Sequence, residues 1–431
     1  MAKSSLLVAF LAHSSITWAA PQGTRTVDAA APPATYTANP SIGPGGSDFK
    51  DSAHFRVYGN TGAEADTALA FLEAAFDCFI TGLNFRSSGL SYNTPENDDV
   101  GPWTKTNIYS VATLPGAAGV MHSDAGAGMA WLEVQQDYLA VPGVSVHEFG
   151  HGVHYHQRNW VDQGRTGAWW ETFANWFAET YRTSELCSAA REAHGQPTGA
   201  TEIDLVKTIG DSFQVLVDGS VDTGNYYQAW PFFTYLTSNP DDFAGLGTDT
   251  LRQMQIQYDI GSNETPFHTL GRVSTEASVA QIVGRYWARM AYVDIGHPLA
   301  QESFFAQRDN LNFANVDSTG DSSYKVKPNR QPLYMGANIN PLQTSGGTMS
   351  VTIEANIAYT ATLAVYSTSS TRYVDVIDGA ATVEVQASEE VSLVVANTPD
   401  NLILYDAFNL SDEVKQGLDY SFTLTGATVA N

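Results

Sequence analysis

Apolar and polar positions follow different periods in different parts of this chain. Between residues 63 and 83 the pattern is helical: Leu69, Leu72, Ala75, Phe76 and Ile80 recur at three- and four-residue spacing and share one face. Residues 107–111 and 129–134 alternate with a period of two, which predicts strands, the second preceded by a turn at Gly126 and Gly128. A helix is predicted over 144–158 and a second over about 168–185, with Gly164 as the break between them. Further helices are expected over 226–236, 248–258 and 275–295. Beyond residue 320 the pattern changes again. Short alternating runs at 349–355, 359–366, 372–377, 381–387, 391–396, 402–405 and 420–424 are separated by turns rich in Ser, Gly, Asn, Asp and Pro. That pattern predicts a β-sandwich. The expected fold is therefore α+β, with a helix-rich domain over 51–325, a linker, and an all-β sandwich over 331–431.

The start of the chain reads differently. Lys3 precedes a short apolar run at 5–12, too short to span a bilayer, and Thr17-Trp18-Ala19-Ala20 supplies small residues for cleavage. Residues 1–19 are expected to be a signal peptide, and the Ala-, Pro- and Gly-rich stretch 20–50 a flexible leader or pro-segment. No other run approaches the ~20 apolar residues of a membrane span. The expected location is extracellular. In such an oxidising setting the two cysteines, Cys78 and Cys187, are expected to form one disulfide.

Composition narrows the partners. At 43% hydrophobic and 16% charged residues there is material for a sizeable core. The 46 acidic side chains against 21 basic ones, a net charge of −25, repel nucleic acid and anionic membranes, so neither is expected to bind.

The chemistry is concentrated in Val146-His147-Glu148-Phe149-Gly150-His151. Residues i and i+4 of a helix share a face, so His147 and His151 can aim both imidazoles at one ion. Glu148 follows the first of them and can act as general base. Gly150 keeps the helix slim, at a propensity cost of ~1 kcal/mol, and suggests close packing or a site for something to approach. A catalytic Zn²⁺ takes three protein ligands and keeps an open position. Glu171, twenty residues after His151 on the next predicted helix and among aromatic residues, supplies the third. A buried carboxylate there is costly without a partner such as Zn²⁺. Asn175, one turn on, can hydrogen-bond a ligand imidazole. Glu179 is a poorer ligand by position. His154 lies about 10 Å along the helix axis from His147, too far to share an ion, and with His156 reads as a surface or supporting histidine.

These elements resemble the gluzincin division of zinc metallopeptidases, which includes thermolysin and a large class of zinc aminopeptidases. The resemblance rests on His147-Glu148-x-x-His151 and on Glu171 with Asn175 four residues later. It implies a zincin-like domain in which His147, His151 and Glu171 bind Zn²⁺ and Glu148 is the general base. Thermolysin-type enzymes carry Asp where this chain has Asn175. A metzincin pattern is excluded because position 157 is Gln157, not His. The order of leader, motif and β-sandwich is also similar to secreted Svx-like microbial proteins. By the same resemblance, Gly128, Met129, Ala130 and Trp131 form the strand that borders the cleft, where a substrate peptide would add as an extra strand. The resemblance also implies a His or Tyr donor for the oxyanion after the third ligand. Tyr227 is the expected donor, in a segment loosely similar to the aminopeptidase Tyr-x-x-Gly element but with Trp230 in place of Gly. Tyr226 and His268 are its rivals.

The sequence thus points to a secreted, monomeric zinc metallopeptidase acting on extracellular proteins or glycoproteins. The alternative is a secreted binding protein or effector whose zinc site is structural or vestigial. Glu148 distinguishes the two, because a binding module has no need of an acid beside the metal.

Overall fold

The computed structural model describes residues 32–93, 100–368 and 370–430. The expected signal peptide and the first part of the expected leader lie outside these residues. The fold is α+β with a C-terminal β-sandwich. It divides into two compact units. One comprises the chain up to Asn159 together with Phe173–Ala200, the other Trp160–Thr172 together with Thr201–Asn431.

The first unit is built on a mixed five-stranded sheet. In chain order it contains β1 (Phe49–Asp51), β2 (Phe55–Tyr58), α1 (Ala63–Phe76), β3 (Thr106–Val111), β4 (Gly119–Asp124), β5 (Met129–Gln135) and α2 (Pro142–Gln157). After these come α3 (Gln163–Thr183), in which the chain passes between the units, and α4 (Ser188–Ala193). The strand order is β1-β2-β3-β5-β4. β2, β3 and β5 run parallel, and β4 pairs antiparallel with β5 at the edge. The alternation seen in the sequence of β5 sends Ala130, Leu132 and Val134 into the core, all fully buried. Phe149 of α2 meets Phe55 of the sheet edge-on, with ring centroids 5.0 Å apart.

The expected flexible leader runs to residue 50, yet from residue 32 the chain belongs to the fold. Tyr36 and Ile42 are buried. The Tyr36 ring packs edge-on against His54 and Phe76. Asn107 donates from Nδ2 to the carbonyls of Asn39 (2.8 Å) and Ile42 (2.9 Å), and the Tyr109 hydroxyl also donates to Ile42 O (2.7 Å). Two large apolar side chains and satisfied carbonyls are enough to order a stretch of small residues.

Cys78 and Cys187 form the expected disulfide across 109 residues of sequence. Both are buried. The bond ties the π-helical extension of α1, Asp77–Gly82, to the segment that follows α3.

The second unit contains α5 (Trp230–Ser238), α6 (Thr250–Ile256), α7 (Pro266–Val273), α8 (Val279–Met290) and α9 (Pro298–Gln307). Its strands are β6 (Val316–Gly320), β7 (Ser323–Val326), β8 (Ala337–Gln343), β9 (Gly347–Ala355) and β10 (Thr360–Ser367). They continue with β11 (Ser370–Asp375), β12 (Ala380–Val385), β13 (Glu390–Ala396), β14 (Tyr420–Thr425) and β15 (Thr428–Val429). The strands form two antiparallel sheets, β11-β10-β13-β8-β15 and β12-β9-β14-β7-β6. Leu363, Val365, Leu393 and Val395 of one sheet share a core with Met349, Val351, Phe422 and Leu424 of the other.

The sandwich begins with β6, ahead of the expected boundary at 325–331, and the helices of this unit cluster with it. The Trp287 indole of α8, for example, donates to Met335 O (2.8 Å) just before β8. Residues 402–405, expected to be a strand, lie instead in the long connection between β13 and β14. Among the described residues no helix is long and apolar enough to cross a membrane.

Candidate metal centre

Helix α2 starts on Pro142, whose missing N–H costs nothing in the first turn. It ends at Gln157. Arg158 takes a left-handed conformation there (φ 37°) and its N–H returns to His154 O (2.8 Å). The break between the two helices is therefore at Arg158, not at Gly164, which lies inside the first turn of α3. Gly150 explains how closely the helices approach. A methyl group at that position would lie 3.1 Å from Phe177 Cβ and 3.2 Å from Ala174 Cα.

His147 and His151 fall on the same buried face of α2, 7% and 3% exposed. Their Nε2 atoms lie 3.1 Å apart and their rings stand nearly perpendicular, at 85°. Two nitrogens at 2.0–2.1 Å from one tetrahedral ion would be about 3.3 Å apart. His147 Nδ1 donates to Asn175 Oδ1 (2.7 Å), which fixes the tautomer and turns the Nε2 lone pair toward His151. The expected supporting role of Asn175 is thus present as a hydrogen bond. Glu171 on α3 is also buried, and His147, His151 and Glu171 each offer a ligand atom within 4.8 Å of the others. Two imidazoles and a carboxylate, with no thiolate, are a donor set that suits Zn²⁺ and accommodates other divalent first-row metals. Glu179, though buried, is not part of this group.

Glu148 is 3% exposed and lies against the start of the edge strand, where Gly119 makes room for it. Gly119 is not among the residues expected from the sequence. The run of small residues Ala117-Ala118-Gly119 ahead of a strand is the signal that could have revealed it.

The expected peptide-bordering strand needs correction. Met129, Ala130 and Trp131 belong to β5, and β5 is paired on both sides, with β3 and with β4. Gly128 is the turn residue before it (φ 65°). Trp131 is paired on both sides, and Met129 and Ala130 have β4 between them and the edge of the sheet. The free edge of this sheet beside β5 is β4, and the sequence does not reveal it because hydrophobic alternation marks a strand but not its neighbours.

The expected oxyanion donor and its first rival lie outside the helix expected to carry them. Tyr226 and Tyr227 occupy a turn before α5 and not the helix itself, and their rings are 4.5 Å apart. Thr172 Oγ1, one residue after Glu171, donates to Tyr226 O (2.7 Å). Burial and then the Glu171 charge raise the Tyr226 phenol above its ordinary value, which keeps it protonated and able to donate. Tyr226 is thus related to Glu171 through Thr172 and through the Glu171 charge. His268 is occupied elsewhere: its Nδ1 meets Thr265 at the start of α7 (2.9 Å to Oγ1).

His154 and His156 are not surface residues. Burial pushes both down to about 3, with His151 and Arg158 adding to the effect at His154 and Arg86 at His156. His156 Nε2 accepts from Ala130 N (3.1 Å), capping a backbone donor of β5 from α2.

These features define an α+β protein with a buried His–His–Glu group able to hold one metal ion. The chain belongs to DUF6055, a family of unknown function, whose model matches residues 51–431. No curated protein matches it.

Proposed function

We propose that this protein is a secreted zinc metallopeptidase that hydrolyses peptide bonds of extracellular proteins or glycoproteins. The observation that carries the reading is the buried His147–His151–Glu171 group, with Asn175 orienting His147 and an acid, Glu148, next in sequence to the first ligand. A structural zinc site is usually closed by a fourth protein ligand, whereas three ligands leave one position open. The disulfide supports an oxidising, extracellular setting.

Zinc held by His147, His151 and Glu171 would supply Lewis acidity and lower the pKa of a water ligand towards ~7. The chain supplies the rest. Glu148 takes the proton from the attacking water and passes it to the leaving amine. The Tyr226 hydroxyl donates to the oxyanion of the tetrahedral species, with Tyr227 beside it. The edge strand β4 offers main-chain groups for an extended peptide.

The test compares two variants of the purified full chain loaded with zinc. Glu148→Gln is expected to keep zinc and fold and to lose hydrolysis by at least the 10²–10⁴-fold typical of general-base loss. Glu171→Gln is expected to loosen the metal itself, because a neutral amide is a poorer ligand. Near-normal turnover by Glu148→Gln would sink the peptidase reading in favour of a binding protein. A wild-type chain that takes up no zinc would sink both.

A further inference from the structure

The connection between β13 and β14 spans residues 397–419 and is the longest between strands of the sandwich. Its middle is held firmly. Tyr405 is buried and its hydroxyl donates to Val217 O (3.0 Å). Gly219 N donates to Ala407 O (2.9 Å), and Phe408 N to Asp406 Oδ1 (2.9 Å). With Asn409 N donating to Asp406 O (3.0 Å), these bonds fix the backbone on either side of Phe408, yet the Phe408 side chain remains 48% exposed.

The ring rests on two glycines. A methyl group at Gly219 would lie 2.6 Å from Phe408 Cδ1, and one at Gly167 would lie 3.1 Å from Cε2. Gly167 is on α3, four residues before Glu171. Positions i and i+4 share a helix face, so the ring covers the face that carries Glu171, about 6 Å towards the N-terminus of the helix. The edge of the ring also meets Tyr226, with centroids 5.9 Å apart and planes at 78°. Tyr226 is in turn anchored by Thr172, the residue after Glu171. A large apolar side chain held in place by its backbone, with half its surface in water, has the character of one wall of a ligand subsite.

We propose that Phe408 is a specificity-determining residue, an apolar wall beside Glu171 and Tyr226 that selects peptides bearing a large aliphatic or aromatic side chain next to the bond hydrolysed. This rests on the peptidase reading above. It gives the sandwich a part in substrate choice, since Phe408 comes from a sandwich connection. The offset of about 6 Å along α3 is within reach of a large side chain on a residue whose backbone passes beside Glu171.

The test uses the zinc-loaded full chain and peptides that differ at one position, Phe, Leu or Ala, beside the cleaved bond. Wild type is expected to favour Phe and Leu over Ala. In Phe408→Ala the ratio of kcat/KM for Phe over Ala is expected to fall about tenfold, with zinc content unchanged. Phe408→Gln, which keeps bulk but removes the apolar wall, is expected to lower the ratio in the same direction and serves if the alanine variant does not fold. Binding of the Phe peptide to Glu148→Gln and to Glu148→Gln/Phe408→Ala, measured by calorimetry, provides a readout without turnover and is expected to weaken with the ring removed. A preference that survives both Phe408 variants, or a wild type with no preference, overturns the role of Phe408 alone. A zinc-loaded wild type that cleaves nothing overturns the peptidase reading and this proposal with it.

Discussion

Gly119 faces Glu148 so closely that no larger residue fits between them: a methyl group at 119 would lie 2.6 Å from Glu148 Cγ and 2.8 Å from Oε1. The glycine begins the edge strand where the proposed base must lie. Gly119→Ala is therefore expected to displace the Glu148 side chain and lower kcat by roughly 10²-fold while leaving zinc content unchanged. Single-turnover kinetics together with metal analysis check this. Full activity in Gly119→Ala would show that Glu148 does not need its present position.

Asn175 is expected to act on the metal through His147. Removing its hydrogen bond to Nδ1 in Asn175→Ala frees the imidazole to turn and is expected to weaken zinc binding by about 10–100-fold. Asn175→Asp should restore or exceed wild-type affinity, because a carboxylate polarises the ring more strongly. Competition with a zinc chelator of known affinity measures both. Unchanged affinity in the alanine variant would remove Asn175 from the site.

The disulfide makes a prediction about stability. Unfolded, unreduced protein should show no titratable thiol. Cys78→Ser/Cys187→Ser is expected to cost roughly 2–5 kcal/mol, read as a lower midpoint of denaturant unfolding. Equal midpoints would mean that the bond contributes nothing to stability.

Much of this architecture can be read from the residues, and the exceptions have physical causes. The His147/His151 spacing places both imidazoles on one helix face whatever else the chain does, and Gly150 signals the close approach of α3 that the structure contains. Strands β9, β12 and β14 alternate clearly because each has one wet face, whereas β8, β10 and β13 are largely buried on both faces, and β10 and β13 read as nearly continuous apolar runs. Other features depend on partners far away in sequence. The segment after residue 32 looks like a linker by composition, but Asn107 and Tyr109 hold it from more than 60 residues away. The period of β5 does not reveal that β4 lies beyond it. Gly164 was the obvious breaker, yet its ~1 kcal/mol helical cost is small beside the packing of α3, and the chain turns at Arg158 instead. Tyr226 and Tyr227 are adjacent and chemically identical, and the bond of Thr172 to the Tyr226 carbonyl, 54 residues away in sequence, leaves no mark in the pattern.

His156 predicts a pH dependence. Its folded pKa is depressed to about 3 by burial, against an ordinary value of 6.5. Between these values the unfolded chain binds a proton at this residue that the folded chain refuses. This contribution to stability is complete above about pH 6.5 and is lost progressively as pH falls towards 3. His156→Gln keeps an acceptor for Ala130 N but removes the proton uptake. Its stability, measured by urea unfolding at several pH values, should fall less steeply on acidification, by up to about 1.4 kcal/mol per pH unit. Identical slopes would show that His156 is protonated equally in both states.

The bond between Cys78 and Cys187 closes a covalent ring, and His147, Glu148, His151, Glu171 and Asn175 all lie inside it. A backbone nicked once within that ring therefore remains a single molecule. It would migrate as one species without reductant and as two fragments with it. Every proposed ligand and the base stay tethered after such a cut, so a nick there would not shed half of the proposed metal centre.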